Sequence, residues 1–202
     1  MKKAIVGLVA PFTTTGHAAK QVALLVALMM GLGVGELYAV GSQPLSVLVK
    51  VQKISVSISP ASIDFNTVAE GYKGIHGTTV VVTNDGNIAE SMKLDGGSAP
   101  GGWTKVANDD PSTDQYDIRA LFAGDLGGLA LADFTLTDDT LTGAPVTADA
   151  DKFARAADSS GVKGYNIASI ATRNLFVEFR APSANTQTDQ KTITVTVTAQ
   201  VY

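Results

Sequence analysis

The sequence predicts an all-β protein, a single antiparallel β-sandwich of about seven or eight strands. Short apolar or alternating runs fill residues 40–202, and clusters of Gly, Asn, Asp and Pro separate them, as in sandwich folds. β-Branched residues, which favour strands, recur in these runs. Residues 149–158 are the one segment that resembles a helix, and a loop is an equal alternative there. We expect the sandwich to occupy residues 54–202.

The C-terminal segment has the clearest strand pattern. In residues 191–202, KTITVTVTAQVY, apolar and threonine residues alternate with the period of two that is typical of a strand. One face would carry Ile193, Val195, Val197, Ala199 and Val201, and the other Thr192, Thr194, Thr196 and Thr198.

Five other segments are predicted as strands, at 78–83, 88–94, 116–122, 129–136 and 174–180. The first of them, TTVVVT, is apolar on both faces, which suits a central strand. The Asp85-Gly86 step that follows it favours a tight turn into the next strand. In the last segment, alternation places on one side Leu175, Val177 and Phe179.

Composition narrows the classes of function. The chain has 202 residues, a formal net charge of −4 and no cysteine. A chain of this length can bury a core without crosslinks, and its charge offers no basic surface to nucleic acid. The lack of cysteine excludes disulfides, thiolate metal ligands and cysteine nucleophiles. We therefore expect no nucleic-acid partner.

Residues 1–39 are predicted to be a secretory signal peptide. Lys2 and Lys3 open the chain, and residues 22–34 contain no charged or polar side chain. This apolar run is shorter than the roughly 20 residues of a membrane-spanning helix, and a short apolar run after a positive lead is typical of export signals. The best cleavage point follows Ala39, and retention of the segment as an uncleaved membrane anchor is the alternative. The protein is expected to be extracellular or on the cell surface, with membrane contact only through this segment.

Residues 40–53 are predicted to form an apolar N-terminal arm. Two apolar sets alternate here out of phase, Leu45, Val47, Val49 and Val51 on odd numbers and Ile54, Val56 and Ile58 on even numbers. One regular strand cannot present both sets to one core, because successive side chains point to opposite faces. Either a β-bulge at Gln52-Lys53 joins them in one long strand, or the arm is separate and completes the sheet of a neighbouring molecule.

A second candidate site is a loop that could hold a ligand. Trp103 lies in the Gly-rich stretch GGSAPGGW, where it either stacks on a sugar or peptide or closes the edge of the core. Asp109, Asp110 and Asp114 follow it, and carboxylate oxygens are calcium ligands. Acidic turns on a net-negative protein are also common without any ligand. No cofactor is predicted, and calcium is the one ion that these oxygens would suit.

We predict no catalytic residues and no enzyme activity. After export the chain would keep one histidine, His76, in the bend Lys73–Gly77 with no carboxylate beside it in sequence. A Ser-His-Asp triad and a zinc site each need partners that this bend does not offer. The paired carboxylates at Asp138-Asp139 and Asp149/Asp151 lack the Gly and Glu of an EF-hand loop. His76 is expected to be a solvated loop residue.

Residues 58–87 carry a resemblance to known proteins. ISPASIDFNTVAEGYKGIHGTTVVVTNDGN combines a Pro-led strand, an Asp-Phe pair, a Gly-containing bend, an apolar strand and an Asn-x-Gly-Asn turn. The segment resembles bacterial secreted immunoglobulin-like surface modules of the abnormal-spindle-like type and, more loosely, TasA/camelysin-like fibre proteins. The matching residues are Pro60, Asp64, Phe65, Gly71, Val80, Val82, Asn84, Gly86 and Asn87. The resemblance implies an immunoglobulin-like fold and secretion but no ligand, and Asn66 and Glu70 depart from the pattern.

These observations favour a secreted, non-enzymatic structural protein of the cell surface or extracellular matrix. Its expected partner is itself, as a homo-oligomer or as a filament built by donor-strand addition. The alternative is a cell-surface module that binds glycan, peptide or calcium through the loop around Trp103.

Overall fold

Nine strands form two β-sheets in the part of the chain that the computed structural model describes, namely Ser46, residues 48–97 and residues 99–202. The predicted signal peptide, Leu45 and Val47 lie outside the described residues. The strands are β1 (Val56–Ser59), β2 (Lys73–Ile75), β3 (Val80–Asn84), β4 (Glu90–Asp95), β5 (Thr104–Lys105), β6 (Gln115–Ala123), β7 (Val146–Thr147), β8 (Thr172–Arg180) and β9 (Thr196–Val201).

The two sheets confirm the predicted all-β sandwich. The larger sheet has the order β1-β3-β8-β6-β5, with β2 paired to β8 beyond the end of β3. The smaller sheet has the order β7-β4-β9. All pairings are antiparallel except β5 with β6. In the described residues, no helix is both long enough and apolar enough to cross a membrane.

The pair formed by β6 and β8 lies at the centre of the larger sheet. Their antiparallel register runs from Asp117 opposite Arg180 to Ala123 opposite Asn174. Alternate residues of both strands face the smaller sheet, as the sequence predicts. The core between the sheets contains Val80, Val82, Met92, Leu94, Tyr116, Ile118, Ala120, Phe122, Leu175, Val177 and Phe179.

The outer face of β6 and β8 is also covered. The chain after β6 crosses this face, and Phe134 packs against Leu121, Ala123 and Phe176 in a second cluster. Both faces of the central strands are therefore buried, whereas an antiparallel sheet commonly has one face in solvent.

The prediction of a strand at 129–136 is wrong. Leu131–Asp133 form a single 3-10 turn instead. The Asp133 carboxylate accepts a hydrogen bond from Ala130 N at 2.8 Å, which favours a local turn over a ladder.

Residues 149–158 form a loop, so the loop alternative is confirmed. Oδ1 of Asp149 accepts hydrogen bonds from the backbone N–H groups of Asp151 and Lys152, at 2.8 and 2.7 Å. An aspartate that bonds to its own following backbone competes with helix formation.

Two strand boundaries differ from the sequence prediction. β1 begins at Val56 rather than Ile54, and β9 begins at Thr196, after Ile193 and Val195. The Asp85-Gly86 turn does not form a hairpin, because β3 already pairs with β1 and β8. It carries the chain across to β4 in the other sheet.

The second cluster predicts a measurable contribution to stability. Replacing the fully buried Leu121 with Ala should lower the free energy of unfolding by about 2–5 kcal/mol, since it leaves a cavity under Phe134. Leu131→Ala, at an exposed site in the covering segment, is the matched control and should cost less than about 1 kcal/mol. Urea denaturation measures both. Equal losses would show that the outer layer does not pack as described.

Candidate functional site

In the described part of the predicted arm, the large apolar side chains lie in solvent. Leu48, Val49 and Val51 are 97%, 81% and 79% exposed. Strand pairing begins only at Val56, so the phase change at Gln52-Lys53 falls in the segment before the strand. Exposed apolar side chains that lie this close together cost free energy in water unless something covers them.

Asn87 holds the base of the arm. Its side chain accepts a hydrogen bond from Lys53 N at 2.9 Å and donates one to Val51 O at 2.8 Å. Its backbone N–H donates to Lys53 O at 3.1 Å, and Lys50 Nζ donates to Asn87 O at 2.9 Å. Residues 50–53 are thereby fixed to the turn between β3 and β4, while the side chains of the arm stay free.

The rest of that turn is built around the buried Asn84. Its Nδ2 donates to the carbonyl oxygens of Ile88 and Ile167, each at 2.8 Å, and its Oδ1 accepts from Gly86 N at 2.7 Å. A Cβ on Gly86 would lie 2.5 Å from Lys53 O, so only glycine allows this close approach. The Asn-x-Gly-Asn residues of the resemblance therefore shape the turn that positions the arm.

Strand β9 is an end strand whose outer edge carries unpaired backbone groups. Tyr202 N donates to Ala89 O at 3.3 Å, which makes these two residues a hydrogen-bonded pair of the β4–β9 ladder. Because bonded and non-bonded pairs alternate in an antiparallel ladder, Val197, Ala199 and Val201 direct their N–H and C=O groups away from β4. No described strand pairs with that edge.

Strand β1 is the end strand of the larger sheet and has the same property. Asp85 N donates to Ser55 O at 2.8 Å, so the alternation turns the backbone groups of Val56 and Ile58 away from β3. β1 and β9 approach each other on one side of the sandwich. Both free edges therefore lie on the same side of the sandwich.

The core is incompletely covered along this side. We call the residues there the open seam; it consists of Val56, Ile193, Val195, Val197 and Ala199. All of them pack against the core but remain only half-buried, whereas the core residues of β6 and β8 are buried. Most of the large apolar residues that are exposed in the described part of the chain lie in the arm, in or just before β1, or at the last residue of β9 and the residue after it: Leu48, Val49, Val51, Ile54, Ile58, Val201 and Tyr202.

Trp103 closes the edge of the core, one of the two roles that the sequence allows. Its ring stacks on Phe179 with centroids 6.1 Å apart and lies 5.8 Å from the ring of Tyr116. Its Nε1 donates to Asn185 Oδ1 at 3.0 Å. One face of the indole and its polar atom are thus engaged within the protein. Burial raises the pKa of the neighbouring Tyr116 hydroxyl to about 12.

The structure does not bring the three predicted carboxylates of the loop to one point. Asp114 accepts hydrogen bonds from Thr186 N at 2.8 Å and from Thr186 Oγ1 at 2.5 Å. These bonds lower the pKa of Asp114. Asp110 forms a largely exposed ion pair with Lys73. The three side chains therefore hold separate loop contacts.

The third carboxylate, Asp109, belongs to a buried ion network that the sequence analysis does not identify. Its Oδ1 accepts from Arg119 at 2.8 Å and from Arg180 at 2.6 Å. Arg119 also pairs with Asp117, and Arg180 with Glu178. The signal was present as D-x-R in β6 and E-x-R in β8, and the antiparallel register places each arginine opposite an acid. Charged residues that alternate with apolar ones usually indicate a face in solvent. The segments that cover this face have no periodic pattern, so the sequence does not predict the cover.

Burial dominates the electrostatics of this network. Desolvation raises the pKa of Asp117 and of Glu178, and their partner arginines act in the opposite direction. The hydrogen bond from Arg119 lowers the pKa of Asp109. Oδ1 of Asp117 and Oε2 of Glu178 are buried without a hydrogen-bond partner among the described residues. The network holds the loop that contains Asp109 against the outer face of β6 and β8.

Removing one arginine should therefore be costly. Arg119→Ala leaves the fully buried Asp117 without its cation and should lower the free energy of unfolding by about 3–5 kcal/mol. Lys73→Ala, which breaks the exposed pair with Asp110, is the matched control and should cost at most about 1 kcal/mol. Chemical denaturation at neutral pH separates the two. A cost for Arg119→Ala as small as that for Lys73→Ala would contradict the network.

A cavity of about 170 Å³ lies between residues 132–139 and residues 150–156 and is lined by several acidic side chains. Asp139 is its most buried carboxylate. Oδ2 of Asp139 accepts hydrogen bonds from Thr135 N at 2.7 Å and Thr135 Oγ1 at 3.1 Å, while Oδ1 has no partner among the described residues. Burial raises the pKa of Asp139 to about 7. The neighbouring Asp138 is paired with Lys152 at 2.8 Å.

Asp139 predicts a pH-dependent stability. The folded state holds the Asp139 proton up to about pH 7, whereas the unfolded state releases it near pH 4. Stability from this group is therefore present at low pH and is lost between about pH 4 and 7, by at most about 1.4 kcal/mol per pH unit. Asp139→Asn should remove this slope and stabilise the protein at pH 7.5. Chemical denaturation between pH 4.5 and 7.5 measures the free energy of unfolding, with Asp138→Asn as the control variant. If this free energy depends on pH in the same way in the wild type and in Asp139→Asn, the prediction is refuted.

His76 is half-buried rather than solvated, which corrects the sequence expectation. Nδ1 accepts a hydrogen bond from Thr78 N and Nε2 bonds to Asp64 O, each at 3.0 Å, so the ring uses both nitrogens. Phe65 packs against the ring edge at 5.0 Å between centroids. Within the described residues, no group of three or more His, Cys, Asp or Glu side chains is arranged to hold a metal ion.

Comparison with known proteins leaves the family of this chain open. No model of a known family matches the sequence, and no curated protein is significantly similar to it.

Proposed function

We propose that this protein is a secreted, non-enzymatic structural protein of the cell surface or extracellular matrix, and that its copies assemble through the arm Leu45–Val51. The exposure of Val49 and Val51 next to a well-packed sandwich is the observation that carries this proposal. Secretion is inferred from the positive lead and apolar run in residues 1–39.

The energetic argument begins with the apolar side chains of the arm. Burying one valine side chain is worth on the order of 1.5 kcal/mol or more. The arm has four odd-numbered apolar residues in the sequence, Leu45, Val47, Val49 and Val51; of these, Val49 and Val51 lie in the described structure and take no part in the core. A second molecule that covered them would gain this free energy, and strand addition would also satisfy the backbone of the arm.

The clamp by Asn87 supports the same function. Ordering the base of the arm in the monomer reduces the conformational entropy that assembly would otherwise cost. The hydrogen bonds of Asn87 to Val51 and Lys53 engage backbone atoms only, so they fix the direction of the arm without covering its side chains.

The contacts of the predicted ligand loop favour this proposal over a binding module. Trp103 packs on Phe179 and bonds to Asn185, and Asp109 pairs with two arginines. Asp114 is occupied by Thr186. These side chains hold loops together, and a ligand would have to displace those contacts.

Deleting residues 44–51 from the full chain should abolish assembly and leave the sandwich folded. Light scattering with size-exclusion chromatography and negative-stain microscopy report assembly, and circular dichroism with thermal denaturation reports folding. The matched control is a chain in which residues 44–51 are replaced by a Gly/Ser sequence of equal length, which keeps the spacing but removes the apolar side chains. Unchanged oligomers or filaments in both variants would rule out the arm as the assembly element.

A further inference from the structure

We propose that the acceptor for the arm is the outer edge of β9 in a second copy of this chain, with the open seam beneath it. This inference rests on the proposed function, since it names the surface that the arm would occupy.

The backbone of β9 supports this assignment. Val197, Ala199 and Val201 direct N–H and C=O groups outward at every second residue, which is the pattern that an added strand requires. A free edge of this kind is normally covered, charged or interrupted in a soluble monomer. The six residues of β9 contain none of the Lys, Glu or Pro residues that usually protect such an edge.

The apolar patterns of the two segments have the same length. The arm has apolar residues at four alternate positions from Leu45 to Val51, and β9 with its preceding residue has four from Val195 to Val201. Side chains of Val195, Val197 and Ala199 are half-buried on the core side. An arm strand beside β9 would place its odd-numbered side chains over the open seam and complete the burial of the seam residues.

The other free edge, that of β1, is a poorer acceptor. β1 has four residues and is followed directly by Pro60, which has no N–H to donate. Two of its residues, Val56 and Ile58, direct backbone groups outward, against three in β9. An added strand would therefore make fewer hydrogen bonds at β1.

The exposure at the base of the arm favours a second copy over the same molecule. Asn87 fixes Val51 and Lys53 at the end of the sandwich where Tyr202 pairs with Ala89, which is also the end where β9 finishes. Val49 and Val51 are nevertheless 81% and 79% exposed, so their side chains do not pack on the β9 of their own molecule.

The absence of cysteine from the chain allows a direct test. In the proposed arrangement, Leu48 and Thr198 lie on the solvent face of the joined strands, and both are exposed in the monomer. Full-length Leu48→Cys protein, carrying a size tag, is mixed with untagged Thr198→Cys protein and treated with a short bismaleimide. The crosslinked heterodimer should form about 10-fold faster or more than a random pair, because docking raises the local thiol concentration.

Two matched acceptors serve as controls. Ser57→Cys reports the β1 edge, and Ile170→Cys reports an exposed site outside both edges. Circular dichroism of each single variant confirms that it folds. Crosslinking of Leu48→Cys to Ser57→Cys in preference to Thr198→Cys would overturn the assignment to β9 and leave arm-mediated assembly standing. Equal rates for all three acceptors would also overturn it.

The variants that lack the arm separate the two proposals. If the deletion variant no longer assembles and Leu48→Cys crosslinks to Thr198→Cys, both arm-mediated assembly and the β9 acceptor are supported. Assembly unchanged in the deletion variant removes the proposed function and the acceptor with it. Crosslinking confined to single molecules of a Leu48→Cys/Thr198→Cys double variant would show that the arm covers its own β9, and would overturn docking between copies.

Discussion

The antiparallel pairing of β6 with β8 is the interaction on which the rest of this structure depends. Both strands have nine residues, and both are buried on two faces. One face supplies the core of the sandwich, and the other carries an apolar cluster and a ladder of buried charges. Stability is therefore concentrated at the centre of the larger sheet. The strands at the margins, β1 and β9, contribute little to that centre, so their outer edges can stay unpaired without unfolding the protein.

The buried arginines of β6 and β8 hold a loop on the outer face of the larger sheet. Arg119 and Arg180 both reach Asp109, whose loop runs over the outer face of the central strands. Replacing such a network by apolar residues is often neutral for stability, whereas removing one partner alone is costly because it leaves a buried charge unpaired. Here the network fixes the loop that contains Asp109, and the hydrogen bond from Arg119 to Phe134 O at 2.8 Å also holds the segment that follows β6.

Strands with a clean period of two were predictable from the sequence, as β6, β8 and most of β9 show, and the continuous apolar run of β3 was predictable as a central strand. The failures have one local cause and two long-range ones. At 129–136 the apolar pattern suggested a strand, but the carboxylate of Asp133 bonds to its own turn. The ion network was hidden because alternating charges usually mark a solvated face, and only tertiary structure reveals the segment that covers them. The function of Asn87 was equally hidden, since its contacts join residues far apart in sequence.

The arm and the open seam are complementary features of one chain: exposed valines with a fixed base, and a strand edge with unused hydrogen-bonding groups over a half-covered core. Amide hydrogen exchange on the assembled protein tests this central claim most directly. The account predicts that the backbone N–H groups of Val197, Ala199 and Val201 exchange freely in the variant lacking residues 44–51 and become protected when the full chain assembles. Assembly without protection at these three amides would contradict it.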